Sequence, residues 1–529
     1  MSKWAVPPMD GNIIHNLFQQ AFYKRAISRY WHGIPIQLDR FAMSTSFLRP
    51  PSLLRLLGAW RAEDSPEPAY RQLAQALRML VLDGRIGLDV RLPGERELAA
   101  ALGLSRTTVA AAFDRLRDEG YLQSRQGSGS VTRLPAGRIE SGQPEIDLGS
   151  GGNLLNWTHA ALPAAPGVGR AVQAAAEMLP AFLGDLGYDP LGLPPLRRAI
   201  AADFERRGCP TSPDQIIVTN GAQQGFALLV QWLAGPGDRA VIDHPTYHNA
   251  VQALQRAHVV PVPVGLPAQG WDIDAMEAAF RQTAPRFAYV IADFHNPTGR
   301  SMDPATRRAL VQAAAATHTP LIIDETMVAM GLDFAPPPPV AVHDPSGRQV
   351  ITMGSASKIY WGGLRVGWIR ADPQTIAALG RLRTTMDMAS PVVEQLAVAH
   401  LLDEGEGLGA RADMLRERRD RLLMLLEAHL PHWRIESPAG GLSLWAEMPR
   451  AEATALAALA ESHGVRIAAG PRFGVGGAFE RFLRLPFTLS EEQLALGVER
   501  LAQADARLHA RMPAGRDAAA LALEADRLI

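Results

Sequence analysis

One lysine of this chain lies where amine chemistry could be done. The 529 residues include fifty arginines but only three lysines, Lys3, Lys24 and Lys358. Arginine stays protonated and is a poor nucleophile, whereas a lysine amine with a lowered pKa can condense with an aldehyde. Lys358 comes three residues after Ser355 and seven before Arg365. A hydroxyl and a guanidinium can hold a phosphate, so the segment is typical of a site for a phosphorylated aldehyde rather than of a surface lysine retained by chance.

Three residues further upstream suit an aromatic aldehyde with a ring nitrogen. Asp324 ends the apolar run Leu-Ile-Ile-Asp, and a carboxylate there could keep a pyridine nitrogen protonated. Asn296, in His-Asn-Pro-Thr-Gly, is a neutral donor suited to a phenolate oxygen, and Tyr247 could stack on the ring. Each signal is weak alone, because an aspartate after a strand is often only a cap. In series with Lys358 they predict a site for pyridoxal 5′-phosphate (PLP).

The phosphate of that cofactor has a further predicted contact. Gly221, Ala222 and Gln223 lie between an apolar run and an apolar helix pattern. The first amides of a helix point out of its N-terminus, where they can bind a phosphate. We therefore expect Ala222 and Gln223 to act together with Ser355 and Arg365.

Composition limits the class of protein. The chain is 47% hydrophobic and 20% charged, with a formal net charge of -1, as expected for a globular protein. This near-neutrality excludes no partner, since a local basic surface can be hidden in the total. The single cysteine, Cys209, excludes an internal disulfide, and the sequence has no signal-like segment and no run of about eighteen apolar residues. We predict a cytoplasmic protein without a membrane span or a metal site.

The length predicts two or more domains, because one core rarely serves more than about 300 residues. Residues 1–42 carry two of the three lysines and no helix punctuation, and we interpret them as an extension that is disordered or comes from a wrongly assigned start. Residues 64–132 are predicted to form a compact unit. The segment 133–146, with two prolines and two glycines, is a predicted linker. A large domain over 147–505 and a tail over 506–529 follow.

The large domain has the pattern of a buried parallel sheet. Apolar runs alternate with alanine-rich helix patterns, and continuous apolar strands of this kind are buried on both faces. The clearest runs are 216–218, 240–242, 287–291, 321–323 and 350–352. We expect an α/β fold with a mainly parallel sheet and a small C-terminal α+β subdomain.

The unit 64–132 has the pattern of three helices and a hairpin. Apolar spacing, capping residues and glycines predict helices over about 69–82, 92–103 and 105–120. Two short β-type runs then flank a glycine-rich tip over 126–129. This α+β order is that of a winged helix-turn-helix.

The third of these helices carries residues that could contact DNA. Ser105 can cap the helix, which leaves Arg106, Thr107 and Thr108 on its exposed first turn. A recognition helix contacts bases and phosphates from this turn. The competing interpretation is a protein-interaction module with solvated arginines. Charge does not decide between the two, since ten arginines face nine acidic residues over 64–133.

From Tyr70 to Val131 the chain resembles the winged helix-turn-helix of the GntR family. The shared motifs are Leu-Pro-x-Glu-Arg-Glu-Leu-Ala, Ser-Arg-x-Thr-Val and Gly-Tyr-Leu followed by Gly-Ser-Gly in the wing. The resemblance implies binding of double-stranded DNA at an operator. With the capping serine included, the residues expected to contact DNA are Arg96, Ser105, Arg106, Thr107, Thr108, Gly127 and Gly129.

From about Leu148 to Leu501 the chain resembles the fold-type-I aminotransferases. The resemblance implies a PLP cofactor with Lys358 in the internal aldimine, Asp324 on the pyridine nitrogen and Asn296 on the phenolate oxygen. It also implies that Tyr247 stacks on the ring. Four residues would contact the phosphate, namely Ala222, Gln223, Ser355 and Arg365.

Two more residues follow from that resemblance. Tyr188, in Tyr-Asp-Pro-Leu-Gly, matches a tyrosine that reaches the phosphate of the neighbouring subunit, which implies a homodimer. Arg484 matches the arginine that binds a substrate α-carboxylate in bidentate fashion. One position departs from the family. The tyrosine usual two or three residues after the aspartate is lacking here, so the second donor to the phenolate oxygen is either missing or replaced by Thr326.

A GntR-like unit followed by an aminotransferase-like domain resembles the organisation of the MocR/GabR group of bacterial transcription regulators. The seven-residue spacing of Lys358 and Arg365 is also similar to theirs. This resemblance implies a PLP-dependent regulator that senses an amino compound through external aldimine formation. An active aminotransferase with an accessory N-terminal unit is the main alternative, and a large domain that serves only as a dimerisation scaffold is another. A sensor and an enzyme need most of the same chemistry, so both functions stay open at this point.

Overall fold

The computed structural model describes residues 47–58, 60–61, 67–82, 86, 90–125, 129–133, 154–405 and 408–509. The predicted extension over 1–42, nearly all of the predicted linker, the wing glycine Gly127 and the chain beyond 509 lie outside the described residues. Within the described part, no helix is long and apolar enough to cross a membrane.

The N-terminal unit consists of four helices and a hairpin. Its elements are α1 (Pro50–Leu57), α2 (Ala69–Leu82), α3 (Glu95–Leu102), α4 (Arg106–Asp118), β1 (Leu122–Arg125) and β2 (Gly129–Thr132). The two strands pair antiparallel, with Leu122 opposite Thr132. The predicted α+β winged helix-turn-helix is thereby confirmed, and α1 adds a helix before it.

Capping and apolar spacing explain why α4 forms where it does. The Ser105 side chain accepts a hydrogen bond from Thr108 N at 3.0 Å, which satisfies one of the free amides at the start of the helix. Val109, Phe113 and Leu116 recur at helical spacing and are buried against α2 and α3. Because this face is buried, Ser105, Arg106 and Thr107 at the start of α4 are left exposed to solvent.

The large domain begins with a short strand and two helices and then alternates strands with helices. Its elements are β3 (Leu155–Asn156), α5 (Val168–Met178), α6 (Pro194–Arg206), β4 (Ile216–Thr219), α7 (Ala222–Leu233), β5 (Arg239–His244), α8 (His248–Arg256), β6 (Val260–Gly265), α9 (Ile273–Thr283), β7 (Phe287–Val290), α10 (Pro304–Ala316), β8 (Leu321–Asp324), β9 (Val350–Ser355), α11 (Ala356–Ile359), β10 (Gly367–Arg370), α12 (Pro373–Arg383) and α13 (Val392–Glu404).

Seven of these strands form one sheet in the order β4-β10-β9-β8-β7-β5-β6. Only β10 runs antiparallel to its neighbours, so the predicted mainly parallel sheet is confirmed. Helices cover both faces, which is why these strands are continuous apolar runs. The carboxyl ends of β5, β7, β8 and β9 lie at the same edge, the usual place for a ligand in such a sheet.

The C-terminal part forms the expected α+β subdomain. Its elements are α14 (Leu408–His429), β11 (Arg434–Ile435), β12 (Ser443–Glu447), α15 (Ala453–Ser462), β13 (Val465–Arg466), β14 (Ala468–Ala469), β15 (Phe482–Pro486) and α16 (Glu491–His509). A four-stranded sheet has the order β11-β12-β15-β14, and β13 pairs with β3. The indole of Trp157, which follows β3, is buried here and donates to Pro486 O at 2.6 Å.

Candidate functional site

A cavity of about 390 Å³ lies at the carboxyl edge of the large sheet. It brings together all but one of the residues predicted to contact PLP or its ligand: Ala222, Gln223, Tyr247, Asn296, Asp324, Ser355, Lys358, Arg365 and Arg484. Tyr188 is the exception, since it lies on the loop before α6 with 66% of its surface exposed and does not line the cavity. Their individual roles stay predictions.

Lys358 reaches the cavity because β9 turns at once into a short helix. Ser355 ends the strand in an extended conformation, and its hydroxyl accepts a hydrogen bond from Ser357 N at 3.1 Å. The Lys358 amine donates to Ala160 O at 2.7 Å. Burial, and after it the cations Arg484 and Arg365, lower the pKa of Lys358 to about 8. A useful fraction of this amine is therefore neutral near physiological pH.

The lowered pKa of Lys358 predicts how cofactor uptake depends on pH. Below about pH 8 the amine is protonated and unreactive, whereas above it the amine is neutral and nucleophilic. We expect the rate at which the apo-protein acquires near-visible absorbance after PLP is added to rise roughly tenfold per pH unit up to about pH 8 and then to level off. Stopped-flow absorbance between pH 6 and 9.5 measures this rate. A flat profile would show that another group controls the step.

Asp324 is held by two donors at the end of β8. Tyr289 donates its hydroxyl to Oδ2 at 2.6 Å, and Thr326 N donates to Oδ1 at 2.8 Å, so the carboxylate has a fixed orientation. Burial, and then the charge of Asp324, raise the pKa of Tyr289 well above its ordinary value, which keeps its hydroxyl a donor. Sequence reasoning missed Tyr289, although it is the one hydroxyl in the apolar run of β7.

Arg484 and Asn296 lie against each other in the cavity. Arg484 Nη1 donates to Asn296 Oδ1 at 3.4 Å, which leaves the amide hydrogens of Asn296 for another acceptor. Arg484 Nη2 donates to Thr158 O, and the guanidinium stacks over Phe473 at 4.8 Å. Its Nε is buried without a hydrogen-bond partner among the described residues. Burial, and then the neighbouring Arg472, lower the pKa of Arg484 to about 9, so the site favours an anion.

Gly221 and Arg365 approach each other closely at the end of the cavity where the phosphate contacts were predicted. Gly221 precedes α7 with φ +80°, and a Cβ built there would lie 2.6 Å from Arg365 Nη2. Only glycine leaves room for the guanidinium at this point. Arg365 Nη2 donates to Asn220 O at 3.2 Å, which places a cation beside the first amides of α7, at Ala222 and Gln223. A cation and helix N-terminal amides together suit a phosphate.

The chemistry of the cavity fits PLP. Carboxylate, amide, amine and guanidinium groups line one cavity, as the cofactor's ring, aldehyde and phosphate would require. Thr326 lines the cavity, and its Oγ1 is buried without a hydrogen-bond partner among the described residues. This hydroxyl is therefore suited to act as the second donor to the phenolate oxygen, in place of the tyrosine that the sequence lacks. The Tyr247 hydroxyl accepts from Asn249 Nδ2 at 2.8 Å, which orients the ring predicted to stack on the cofactor.

The predicted DNA-contacting residues lie on one exposed part of the N-terminal unit. Arg96, on α3, and Ser105, Arg106 and Thr107, at the start of α4, are exposed, and Thr108 is half-buried. Arg106 keeps 58% of its side chain exposed, and its Nε lies 4.0 Å from Glu95 Oε2. The wing residue Gly129 is also exposed, with φ +79°.

A salt-bridged arginine holds the wing against the recognition helix. Arg117, on α4, donates to Glu95 at 3.2 Å and to Ser130 Oγ, on β2, at 3.1 Å. The hairpin therefore has a defined position beside the last turn of α4.

Two family models match this chain, one over each region. The model for aminotransferase class I and II matches residues 143–501, and the model for bacterial regulatory proteins of the gntR family matches residues 69–131. The chain belongs to the aminotransferase class I and II family. It carries a GntR helix-turn-helix in front of that domain, which is the organisation of MocR-type regulators.

Similar proteins include regulators and aminotransferases. The uncharacterised HTH-type transcriptional regulator YisV of Bacillus subtilis is 26% identical over 74% of this chain and 86% of its own length. The probable rhizopine catabolism regulatory protein MocR of Rhizobium meliloti is 28% identical over 73% of this chain and 83% of its own. The crystal structure of LysN, an α-aminoadipate aminotransferase of Thermus thermophilus, superposes with a TM-score of 0.62 at 28% identity, over 68% of this chain and 94% of its own.

Three further residues that line the cavity were not predicted from the sequence. His159, His248 and Arg472 line the cavity beside Arg484. Arg472 lies in the short 3-10 turn Gly470–Phe473, between β14 and β15, where no sequence pattern marks it. Its Nη2 lies 3.1 Å from His248 Nε2.

Proposed function

We propose that this protein is a transcriptional regulator that binds operator DNA through its GntR domain and responds to an amino compound bound with PLP in its aminotransferase domain. The observation that supports the proposal is the presence, in one chain, of an exposed first turn of α4 and a cavity lined by the amine, carboxylate, amide and guanidinium groups that PLP would require. The relatives named as regulators, whose matches cover 74% and 73% of this chain, support it.

The cavity residues have separate tasks in this proposal. When bound, PLP supplies an aldehyde that condenses with primary amines and a ring that withdraws electrons. Lys358 meets the aldehyde, and Asp324 holds a proton on the pyridine nitrogen. Asn296 and Thr326 donate to the phenolate oxygen. Arg484 binds the carboxylate of the amino compound.

The GntR domain rests on the subdomain that carries Arg484. Glu461, on α15, has a side chain that is only 7% exposed, and it lies 3.6 Å from Arg78 Nη2 of α2. Arg466 Nη2, on β13, donates to the same carboxylate at 3.0 Å. Gln75, also on α2, donates its side-chain amide to Ala458 O. Helix α2 therefore docks on α15 through a shared carboxylate.

This contact gives a ligand a route to the DNA-binding residues. Arg466 is six residues before Arg472, and two of the cavity arginines, Arg472 and Arg484, belong to the subdomain on which α2 rests. A ligand that draws these arginines inward would move or reorder the α2 contact. It can change DNA affinity only as far as it binds the two arrangements with different affinity.

The Glu461 contact leads to a prediction about coupling. We expect Glu461→Ala to leave PLP absorbance and the response of that absorbance to the amino compound in place, while the effect of the compound on operator affinity falls by at least half. The reason is that Arg78 and Arg466 lose the carboxylate that they share. Fluorescence anisotropy with labelled operator, with and without the compound, measures the coupling. Glu427→Ala, an exposed change on α14, is the control. Full coupling in Glu461→Ala would place the route elsewhere.

A second prediction concerns the carboxylate of the effector. Arg484→Ala should weaken the response to carboxylate-bearing amines at least tenfold, since a desolvated guanidinium can bind a carboxylate through two hydrogen bonds. The near-visible absorbance of bound PLP should persist, because this arginine faces the ligand. Absorbance titration of parent and variant with the same amine measures the change. Equal affinities would mean that the effector lacks this carboxylate or binds it elsewhere.

We also propose that the protein is a homodimer in which Tyr188 reaches the phosphate of the partner. Its loop exposes three large apolar side chains, at Leu183, Leu186 and Tyr188, as a subunit contact requires. Sedimentation equilibrium of the PLP-loaded protein tests the dimer. Tyr188→Phe should then weaken PLP retention without changing the oligomeric state.

One experiment separates a sensor from an enzyme. The PLP-loaded protein is titrated with amino acids, with and without a 2-oxo acid, while near-visible absorbance, transfer of the amino group to the 2-oxo acid and operator affinity are followed together. A compound that changes both absorbance and operator affinity supports the regulator. Rapid, complete transfer with constant operator affinity favours the alternative, an aminotransferase with an accessory DNA-binding unit.

A further inference from the structure

The segment that leads into α1 extends the sheet of the wing. Phe47 forms a parallel bridge with Arg91, and Arg91 forms an antiparallel bridge with Val131 of β2. Leu48 N donates to Arg91 O at 2.9 Å, which holds the segment beside the wing. Phe47 and Leu48 precede residues 69–131, which the GntR model matches, so the wing of this chain has a support from outside the matched unit.

Helix α1 fixes the position of that segment. Leu53 and Leu57 have no exposed surface, and they belong to the same hydrophobic core as Leu73 of α2 and Phe113 of α4. Two fully buried leucines give a short helix a fixed place on a core. Phe47, three residues before α1, is therefore held beside β2 by the packing of this helix as well as by its backbone contacts.

The side chain of Arg91 lies between Phe47 and the wing. Its guanidinium carbon is 5.7 Å from the centre of the Phe47 ring, within the range of a cation–π contact. A Cβ added to Gly129 would lie 3.4 Å from Arg91 Nε, so the arginine passes close to the first residue of β2. Arg91 and Gly129 are both exposed, and Phe47 keeps 48% of its surface exposed. The arginine therefore faces solvent beside a residue that is predicted to contact DNA.

Arg91 forms no ion pair with the described residues. Two other arginines of the N-terminal unit differ in this respect, since Arg106 lies 4.0 Å and Arg117 lies 3.2 Å from the carboxylate of Glu95. The ring of Phe47 orients the Arg91 guanidinium without neutralising its charge. An exposed and oriented cation of this kind is suited to a DNA phosphate, because its binding releases counterions from the duplex.

We propose that Arg91 is a further DNA-contacting residue, which binds a backbone phosphate next to the wing and is positioned there by Phe47. The inference rests on the proposed function and extends its DNA-binding surface from the two helices that carry Arg96 and Arg106 to the edge of the wing. A phosphate contact contains no sequence information, so Arg91 strengthens binding to operator and unrelated DNA alike.

The test follows binding of the PLP-loaded full chain to a labelled mixed-sequence duplex and to an operator duplex, by fluorescence anisotropy over a series of salt concentrations. Arg91→Gln is expected to weaken binding to both duplexes at least threefold and to reduce the slope of log affinity against log salt by about one. Arg91→Lys keeps the charge and should retain most of the slope. Arg71→Gln removes an exposed charge from α2 of the same unit and should keep the parental slope.

Phe47→Leu tests the positioning role. This variant should show part of the loss seen in Arg91→Gln, and the double variant should bind no more weakly than Arg91→Gln alone, because Phe47 acts through Arg91. Losses that add in the double variant would overturn the role of Phe47. Parental melting temperature and PLP absorbance verify the fold of each variant.

An unchanged salt slope in Arg91→Gln, or a loss confined to the operator duplex, overturns the inference about Arg91. In either case Arg106→Ala still weakens operator binding if the proposed function is right. Parent protein that binds neither duplex would refute the proposed function together with this inference.

Discussion

Replacing Lys358 by arginine is expected to abolish the near-visible absorbance of the PLP-loaded protein while leaving the fold and the charge intact. A guanidinium does not condense with the aldehyde under these conditions, whereas the Lys358 amine, with its pKa lowered to about 8, is prepared to do so. Lys358 lines the cavity, where an arginine of similar length would keep a donor near Ala160 O, so circular dichroism and the melting temperature should change little.

Borohydride reduction provides the decisive control for that variant. In the parent it should fix the cofactor on the peptide that contains Lys358, with the corresponding gain in mass. The variant should gain none, since the only other lysines of the chain are Lys3 and Lys24. Absorbance that persists in Lys358→Arg and is fixed by borohydride would refute the assignment of this residue.

The sequence was informative where chemistry restricts the residue type. Lys358 is conspicuous because arginine has replaced lysine almost everywhere else, and Asp324 and Asn296 follow strands whose apolar runs are unmistakable. Parallel strands must bring their carboxyl ends to one edge, so the cavity could be predicted from the order of these residues alone. The antiparallel strand β10 and the proline-rich edge strand β6 escaped prediction, because a short strand's direction and an edge position leave little trace in composition.

Residues whose role depends on distant contacts could not be predicted. Tyr289 looks like one more apolar strand residue until its hydroxyl is seen 2.6 Å from Asp324. Arg472 lies in an irregular turn, and its neighbour His248 is more than 200 positions away in the sequence. The docking of α2 on Glu461 likewise joins segments that share no local pattern. The predicted cofactor contacts therefore came from local motifs, whereas the proposed coupling between the two domains rests on the tertiary structure.

The second large effect is expected at the DNA surface, where Arg106→Ala and Arg96→Ala should each weaken operator binding by about 1–3 kcal/mol if they contact bases or desolvated phosphates. Both side chains are exposed, so their removal should leave the fold and PLP absorbance unchanged. Arg71→Ala, an exposed arginine on α2 of the same unit, removes equal charge and serves as the control. Anisotropy titrations at matched salt compare the three variants with the parent.

The salt dependence and sequence dependence of these variants reveal what each arginine contacts. An arginine that binds only phosphate should weaken binding to operator and unrelated DNA alike and reduce the salt slope by about one. An arginine that reads a base should instead reduce the preference for operator over unrelated DNA. Because Arg106 extends from the first turn of α4 and Arg96 from α3, we expect base reading from Arg106 and phosphate binding from Arg96. Parental affinity in both variants would show that the recognition helix does not bind DNA through this surface.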